Sequence, residues 1–100
     1  MSRDESTTWT FLTNHAQVLL CLAQDSEIRL RDVAERVDIT ERACQRILAD
    51  LVAAGYVTSE RVGRRNTYVL DREHAMRHTA QIGYEIGALL SAMTVDAPQN

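Results

Sequence analysis

Residues 30–48 read LRDVAERVDITERACQRIL, two short helical patterns that a tight turn separates. Apolar residues recur at intervals of three and four, which is the spacing of one buried helix face. They are Leu30, Val33, Ala34 and Val37 in the first helix, and Ala43, Cys44, Ile47, Leu48 and Leu51 in the second. Asp38 predicts the tight turn, and Thr40 is a suitable N-cap for a helix over residues 41–54. The stretch therefore predicts two short helices in direct succession.

An amphipathic helix is predicted before this pair, over residues 13–24, with Thr13 or Asn14 as its N-cap. Two apolar stripes run along it, and the second contains Val18 and Leu22. A helix with two stripes must be covered on two sides. One side is expected to face the chain's own core, and the other a further element or a second subunit.

After Gly55, which fits the glycine position that follows a helix, the apolar period changes to two. This predicts strands over 56–62 and 67–70, joined by the turn Gly63-Arg64-Arg65-Asn66. A very short strand is also expected over 27–29. The predicted class is mainly α with a small β-hairpin, in the order α-β-α-α-β-β-α. Two helices, a tight turn and an arginine-tipped hairpin are the arrangement of a winged helix-turn-helix.

A long last helix is expected over residues 72–93, capped by Asp71 and about 33 Å long. Gly83-x-x-x-Gly87 leaves a strip poor in side chains, where another helix can approach closely. Packing against the first helix of the same chain is one interpretation, and a two-fold dimer is the favoured one. The expected interface residues are Val18, Leu22, Met76, Ile82, Gly83, Ile86, Gly87, Leu90 and Met93.

Residues 30–48, with AGYV at 54–57 and RVGRRN at 61–66, resemble bacterial winged-helix regulators of the MarR and ArsR type. Two positions depart from that pattern. Asp38 stands where such turns usually carry glycine, at little cost because Asp tolerates left-handed geometry. Arg29 stands where a Ser or Thr cap is common, which leaves the start of the second helix weakly capped.

The resemblance covers residues 11–70 and implies the domain organisation. A polar arm at 1–10 precedes a winged helix-turn-helix DNA-binding domain at 11–70, followed by a C-terminal dimerisation helix at 71–94 and a tail at 95–100. In this fold the third helix enters the major groove of DNA. Two recognition helices of a dimer would lie roughly 34 Å apart, which matches a near-palindromic operator.

The implied base-reading residues are Thr40, Glu41, Arg42, Gln45 and Arg46. Arg pairs bidentately with guanine and Gln with adenine, whereas a Thr at a helix N-terminus suits a phosphate. The alternative is a solvated helix face held by local ion pairs.

The implied wing contacts are Arg61, Arg64, Arg65 and Asn66. Guanidinium groups at a hairpin tip suit the DNA backbone or a narrow minor groove, and an ordinary soluble hairpin is the alternative. Further candidates for phosphate contact are Arg29, Arg31 and Arg36. Arg36 alternatively pairs with Asp32, four residues earlier.

The net charge of −3 comes from 14 acidic residues against 11 basic ones, all of them Arg. By itself this balance argues against nucleic acid, but the charge is polarised. Residues 29–65 contain eight Arg and six acidic residues, a net of +2, whereas the remainder contains three Arg and eight acidic residues, a net of −5. The segment that holds the implied DNA contacts, residues 29–65, is therefore the basic part, and the acidic remainder predicts weak nonspecific binding.

Metal and redox chemistry have weaker support. His74 and His78 are four residues apart and can ligate zinc, but exposed helical histidines are the favoured interpretation. Cys21 and Cys44 occupy apolar helical positions with no C-x-x-C motif, which favours core thiols in a reducing cytosol over a thiol sensor.

No phosphate loop and no nucleophile with a partner base is found, so we expect a protein that is not an enzyme and binds no cofactor or metal. The polar start MSRDESTT, and the lack of an apolar run of 18 residues, predict no signal peptide and no membrane span.

These observations predict a cytoplasmic homodimeric regulator, a repressor by steric occupancy of a promoter, whose partner is double-stranded DNA. Two alternatives remain open. One is a winged helix that serves as a protein-interaction module and docks through its acidic remainder. The other is a ligand- or metal-responsive sensor with its ligand between the first and last helices; no particular effector is predicted.

Overall fold

Three helices, an antiparallel hairpin and a last short helix follow one another in the computed structural model, which describes residues 10–77, 81 and 83–94. The bounds are α1 Asn14–Gln24, α2 Leu30–Val37, α3 Glu41–Ala53, β1 Val57–Val62, β2 Arg65–Leu70 and α4 Ile86–Thr94. This mainly helical order with one hairpin agrees with the predicted winged helix-turn-helix. In this part of the chain, no helix combines the length and apolar character needed to cross a bilayer.

Threonine side chains begin α1 and α3 as the sequence predicts. The hydroxyl oxygen of Thr13 accepts a hydrogen bond from the backbone N–H of Ala16 at 3.1 Å. That of Thr40 accepts from the N–H of Ala43 at 3.0 Å. Each bond satisfies an amide that has no partner within its own helix. Arg29 precedes α2 without a side-chain cap bond, which confirms the weak start predicted for that helix.

The turn between α2 and α3 depends on Asp38, whose φ of +66° is left-handed. Its backbone N–H donates to carbonyl oxygens in the last turn of α2, and the N–H of Ile39 donates to the carbonyl of Ala34 at 3.0 Å. Asp tolerates this conformation better than most side chains, so the tight turn forms without glycine. The turn brings α3 against α2 and leaves the start of α3 at the surface.

The core surrounds α1, which contacts α2, α3, α4 and β2. Its most completely buried side chains are Leu22, Leu90, Val18, Val33 and Cys44. Ile86 is also buried. Both apolar stripes of α1 are therefore covered by elements of the same chain. Val18, Leu22, Ile86 and Leu90, which the sequence predicts at a dimer interface, are buried within this core of the single chain.

The hairpin is longer than predicted. β1 and β2 pair antiparallel, and the last pair before the turn is Val62 with Arg65. The turn therefore consists of Gly63 and Arg64, whereas Arg65 and Asn66 belong to β2. Gly63 has a φ of +62°, and a two-residue loop that begins with glycine matches the twist of the flanking strands.

The short strand expected around Glu27 does not form, and the sheet of the described residues has two strands. The chain turns here because the N–H of Ile28 donates to the carbonyl of Asp25 at 3.2 Å, and the N–H of Glu27 to Asp25 Oδ1 at 3.0 Å. Such local bonds favour a turn over an extended course. One backbone contact joins this loop to the hairpin, from the N–H of Tyr68 to the carbonyl of Ser26 at 2.9 Å.

The long helix predicted over 72–93 is wrong, because α4 begins only at Ile86 and spans 9 residues. The segment before α4 bonds instead to the start of α4 across a reversal of the chain. The N–H of Ile86 donates to the carbonyl of His74 at 2.8 Å, and that of Gly87 to the carbonyl of Arg72 at 2.7 Å. These bonds replace the i→i−4 bonds that a continuous helix requires.

Two glycines permit this reversal. Gly83 has a φ of +93°, which side chains with a Cβ rarely adopt. At Gly87, a Cβ would stand 2.7 Å from the carbonyl oxygen of Arg72. Gly83 precedes α4, so the two glycines do not share one helix face. Arg72 lies against Gly87 and occupies the space that a second helix would need, so the predicted strip of small residues does not form. The predicted interface residue Ile82 and the candidate ligand His78 lie outside the described residues.

Candidate nucleic-acid interface

The exposed face of α3 contains the residues predicted to read bases. Thr40, Glu41, Arg42, Gln45 and Arg46 are all exposed, and Cys44, Ile47 and Leu51 are buried against the core. In the described part of the chain, no hydrogen bond or ion pair engages the side chains of Arg42, Gln45 and Arg46. The local ion pairs of the alternative interpretation are thus not found there, and the side-chain donors of all three residues face solvent.

The N-terminus of α3 combines a neutral and a charged group. The hydroxyl oxygen of Thr40 already accepts from Ala43, so its O–H remains as a donor for an acceptor such as a phosphate oxygen. Glu41 lies in the first turn, where a carboxylate interacts favourably with the helix dipole. It repels phosphate but can accept a hydrogen bond from the amino group of cytosine. This end of α3 therefore suits base edges better than the DNA backbone alone.

The hairpin register separates the predicted wing residues. Arg61 pairs with Asn66 and Val62 pairs with Arg65. Side chains alternate between the two faces of a strand, so Arg61 and Arg65 point to opposite faces of the hairpin. Arg64 lies in the turn between them. The wing therefore distributes its guanidinium groups around its tip and does not present them on one flat surface.

Arg64 and Arg61 are the wing arginines that the rest of the fold leaves at the tip. Arg61 Nε donates to the carbonyl oxygen of Gly63 at 3.3 Å, a local bond that holds its guanidinium beside the turn. The exposed side chain of Arg64 has no partner among the described residues. Arg64 is accordingly the wing residue best placed to meet a DNA phosphate.

The other two wing candidates already have partners within the chain. Arg65 Nη1 lies 3.5 Å from Glu27 Oε1, in an exposed ion pair. The side chain of Asn66 lies near the phenol of Tyr68; burial raises the pKa of that phenol, and Asn66 partly opposes the rise. Arg65 and Glu27 are far apart in the sequence, and only the packing of β2 against the loop after α1 brings them together. Asn66 and Tyr68, by contrast, are two residues apart on the same face of β2.

Arg29, the N-cap of α2, is exposed, as are Arg31 and Arg36 within α2, but the three side chains have different neighbours. Burial raises the pKa of the Cys21 thiol, and the Arg36 guanidinium partly offsets this through its charge and a hydrogen bond. Arg36 therefore lies against α1, and its predicted pair with Asp32 is not found among the described residues. Arg29 and Arg31 have no such partner in this part of the chain and remain candidates for phosphate contact.

A polar hollow of about 410 Å³ lies between α2 and the wing. Its charged lining consists of Arg29, Arg36 and Arg65 with the carboxylates of Asp25, Glu27, Asp32 and Glu35. Carboxylates outnumber guanidinium groups there, so the hollow does not favour a phosphate. The basic segment that the sequence indicates is thus interrupted by acidic side chains beside the wing.

A second, apolar groove of about 1140 Å³ lies between the start of α1, the end of α3 and α4. Its apolar lining includes Phe11, Leu12, Met76, Ile86 and Leu89. Phe11 is 92% exposed, an unusual state for a large apolar side chain. Met76 was predicted at a dimer interface, and here it remains within reach of a partner.

The residues considered for metal or thiol chemistry, His74, Cys21 and Cys44, pack against other parts of the fold. The ring of His74 packs edge-on against Tyr56, with ring centroids 4.4 Å apart, and lies next to Gly55. Burial raises the pKa values of the free thiols of Cys21 and Cys44, which disfavours the reactive thiolate. Within the described residues, no group of three His, Cys, Asp or Glu side chains is placed to hold a metal ion.

Residues 13–58 match the winged helix-turn-helix DNA-binding family. The matched segment contains α1, α2, α3 and the first two residues of β1, and ends before the tip of the wing. No curated protein matches the chain. The match and the exposed face of α3 together support a DNA-binding regulator.

Proposed function

We propose that this protein is a homodimeric, sequence-specific regulator of transcription that binds double-stranded DNA, similar to bacterial regulators of the MarR and ArsR type. In this proposal, α3 lies in the major groove and the wing contacts the backbone or the minor groove. One observation carries it: Arg42, Gln45 and Arg46 are unengaged on the helix that follows the tight turn, within the segment that matches a DNA-binding family.

The base-reading step rests on the chemistry of these three side chains. Arg42 and Arg46 can each donate two hydrogen bonds to guanine, and Gln45 can pair bidentately with adenine. Each such pair discriminates against a wrong base by about 1–3 kcal/mol. Arg64 supplies a phosphate contact, which adds affinity without sequence preference.

The proposed dimer rests on the apolar groove. A second copy related by a two-fold axis would cover the apolar lining of this groove, which includes Phe11 and Met76. Two α3 helices then face successive turns of the major groove, about 34 Å apart, on a near-palindromic operator. Occupancy of such a site within a promoter blocks transcription sterically, so we propose a repressor that acts without catalysis or cofactor in the bacterial cytoplasm.

The same groove supports a second candidate, a regulator whose DNA affinity responds to a small apolar effector. The groove, at about 1140 Å³, slightly exceeds the usual range for small-molecule sites, about 300–1,000 Å³. A third candidate, a winged helix that binds another protein, rests on the acidic remainder of the chain, which carries eight acidic residues against three Arg.

DNA binding is tested by fluorescence anisotropy with duplexes selected from genomic fragments by the pure protein. Affinity is expected to fall steeply as salt rises, because phosphate contacts release counterions. Replacing Arg42, Gln45 and Arg46 together by Ala should abolish sequence preference with little loss of stability, since all three are exposed. Undetectable binding at low salt would refute the proposal, and binding only to another protein would favour the interaction module.

The dimer is tested by light scattering on wild type and on Phe11→Ser, with the exposed wing variant Val69→Ser as the control. We expect a dimer that Phe11→Ser weakens and Val69→Ser leaves intact. A strict monomer would refute the homodimer. Thermal-shift measurements with small apolar compounds and metal ions test the effector, and an absence of stabilisation would leave that candidate without support.

A further inference from the structure

The loop after α1 is joined to β2 at two points. The backbone N–H of Tyr68 donates to the carbonyl of Ser26 at 2.9 Å, and Arg65 Nη1 lies 3.5 Å from Glu27 Oε1. The loop is itself held in a turn, because the N–H of Glu27 donates to Asp25 Oδ1 at 3.0 Å. The carboxylate of Glu27 is therefore held beside Arg65, the first residue of β2 after the turn of the wing.

We propose that the Glu27 carboxylate competes with DNA phosphates for the Arg65 guanidinium. Glu27 keeps this guanidinium from DNA until a phosphate replaces the carboxylate. Carboxylate and phosphate oxygens accept the same N–H donors of a guanidinium. The side chains of Arg65 and Glu27 are 64% and 57% exposed, and an exposed pair with one 3.5 Å contact is weak enough to exchange. The inference rests on the proposed DNA binding and extends it.

The exchange has a consequence for selectivity. In the free protein, the Glu27 carboxylate neutralises one of the three wing guanidinium groups, which lowers the attraction of the wing to DNA of any sequence. On DNA, Arg65 contributes only where a phosphate is close enough to replace Glu27. Glu27 is thus a positioning residue that acts through Arg65, and it favours duplexes on which α3 and the wing dock together.

The polar hollow supplies a matched control. Glu35 lines the same hollow and carries the same charge, but in the described residues only Glu27 reaches Arg65. Glu27→Gln and Glu35→Gln therefore change the net charge equally, and only the first releases Arg65. Any difference between the two variants reports the contact and not the overall electrostatic field.

The experiment measures anisotropy of a nonspecific duplex with wild type, Glu27→Gln, Glu35→Gln and Arg65→Gln, and with each Glu variant combined with Arg65→Gln. At about 0.1 M salt, we expect Glu27→Gln to bind about threefold tighter than Glu35→Gln. On the selected duplex, where α3 and the wing dock together, Arg65→Gln should lower the salt slope by about one, as expected for the loss of one phosphate contact. In the Arg65→Gln background, the two Glu variants should bind equally.

Damage to the fold does not tighten DNA binding, so a gain in affinity separates this role from a purely structural one. Equal affinities of Glu27→Gln and Glu35→Gln, weaker binding by Glu27→Gln, or an unchanged salt slope in Arg65→Gln would each overturn the inference. If wild type binds and Arg46→Ala weakens binding, such a result refutes the role of Glu27 alone. Absence of binding by every variant and by wild type refutes the proposed function together with the inference.

Discussion

His15 Nε2 lies 2.8 Å from Asp50 Oδ2, and this contact joins the first turn of α1 to the C-terminal half of α3. The two side chains are 48% and 57% exposed, so water and salt screen the interaction. Asp50 is eight residues beyond Arg42, which is about 12 Å along the helix axis. The contact therefore joins α3 to α1 at the end of α3 away from the proposed DNA-reading residues.

Asp50→Asn is expected to lower the free energy of unfolding by at most about 1 kcal/mol, because exposed pairs contribute about 0.2–1 kcal/mol. Urea denaturation measures the change. Glu73→Gln, an exposed carboxylate without a side-chain partner among the described residues, should leave stability unchanged. DNA affinity should be the same in both variants, and a loss confined to Asp50→Asn at unchanged stability would place Asp50 in the interface.

Gly87→Ala is expected to destabilise the protein although alanine favours helices. The gain in helix propensity is about 1 kcal/mol. Against it, the new Cβ would stand 2.7 Å from the carbonyl oxygen of Arg72, a backbone atom that cannot move aside as a flexible side chain can. Overpacking of this kind costs about 1–3 kcal/mol, and the backbone bond from Gly87 to Arg72 would be strained as well. We expect a net loss of about 1–2 kcal/mol in urea denaturation.

Gly63→Ala provides the comparison for Gly87→Ala. A Cβ at Gly63 meets nothing within 4 Å, so its cost comes from the φ of +62° alone, about 1 kcal/mol. Its effect should be confined to the wing. If Gly87→Ala raised the unfolding midpoint instead, the close approach of α4 to Arg72 would be contradicted.

Arg46→Ala and Arg64→Ala are expected to change DNA binding in different ways. Arg46→Ala should cost about 1–3 kcal/mol on the selected duplex and relax preference at one base position. Arg64→Ala should weaken all duplexes about equally and reduce the salt slope by about one. Selection of randomised duplexes followed by sequencing, with anisotropy across a salt series, separates the two effects.

The control for these arginines is Arg72→Gln, which removes one exposed positive charge outside residues 29–65. It should have a smaller effect than either variant at about 0.1 M salt, where charges separated by more than about 10 Å are screened. Identical sequence profiles for Arg46→Ala and Arg64→Ala would contradict the division between base reading and backbone contact.

Stability is expected to fall in alkaline solution because burial raises the pKa values of three groups. The pKa values of the Cys21 and Cys44 thiols are raised above the ordinary 9.0, and the pKa of the Tyr68 phenol is raised above the ordinary 10.0. Each folded group holds its proton to a higher pH than the unfolded group does. The contribution of these three groups to the free energy of unfolding is therefore fully present below pH about 9. It decreases as the pH rises further, because the groups of the unfolded state lose their protons first.

Urea titrations in a reducing buffer at several pH values measure this loss. Tyr68→Phe removes one of the three groups and should make the decrease above pH about 10 shallower. A free energy of unfolding that stays constant from pH about 8 to 10.5 would contradict the burial of these groups.

Much of the helix-turn-helix was predictable because its signals are local. The cap bonds of Thr13 and Thr40, the left-handed turn at Asp38 and the helical spacing of α3 each involve residues within four positions of one another. Such contacts form wherever the local sequence favours them, so periodicity and cap chemistry indicate them correctly. The exposed position of Arg42, Gln45 and Arg46 follows from the same spacing.

The wing and the last helix were predicted only in part, because their form depends on distant residues. Periodicity favoured one helix from residue 72, but the bonds from Ile86 and Gly87 back to His74 and Arg72 reverse the chain instead. Propensity is a weak prior, and long-range backbone bonds overcome it here.

The helix-turn-helix and the chemistry of its exposed face thus follow from local sequence, because residues close together in the chain specify both. Three features become visible only in the folded chain: α1 is covered by its own chain, the wing arginines point to different faces, and Glu27 forms an ion pair with Arg65. These relationships join elements far apart in the chain. Their partners are chosen by packing and pairing in three dimensions, which no local pattern encodes.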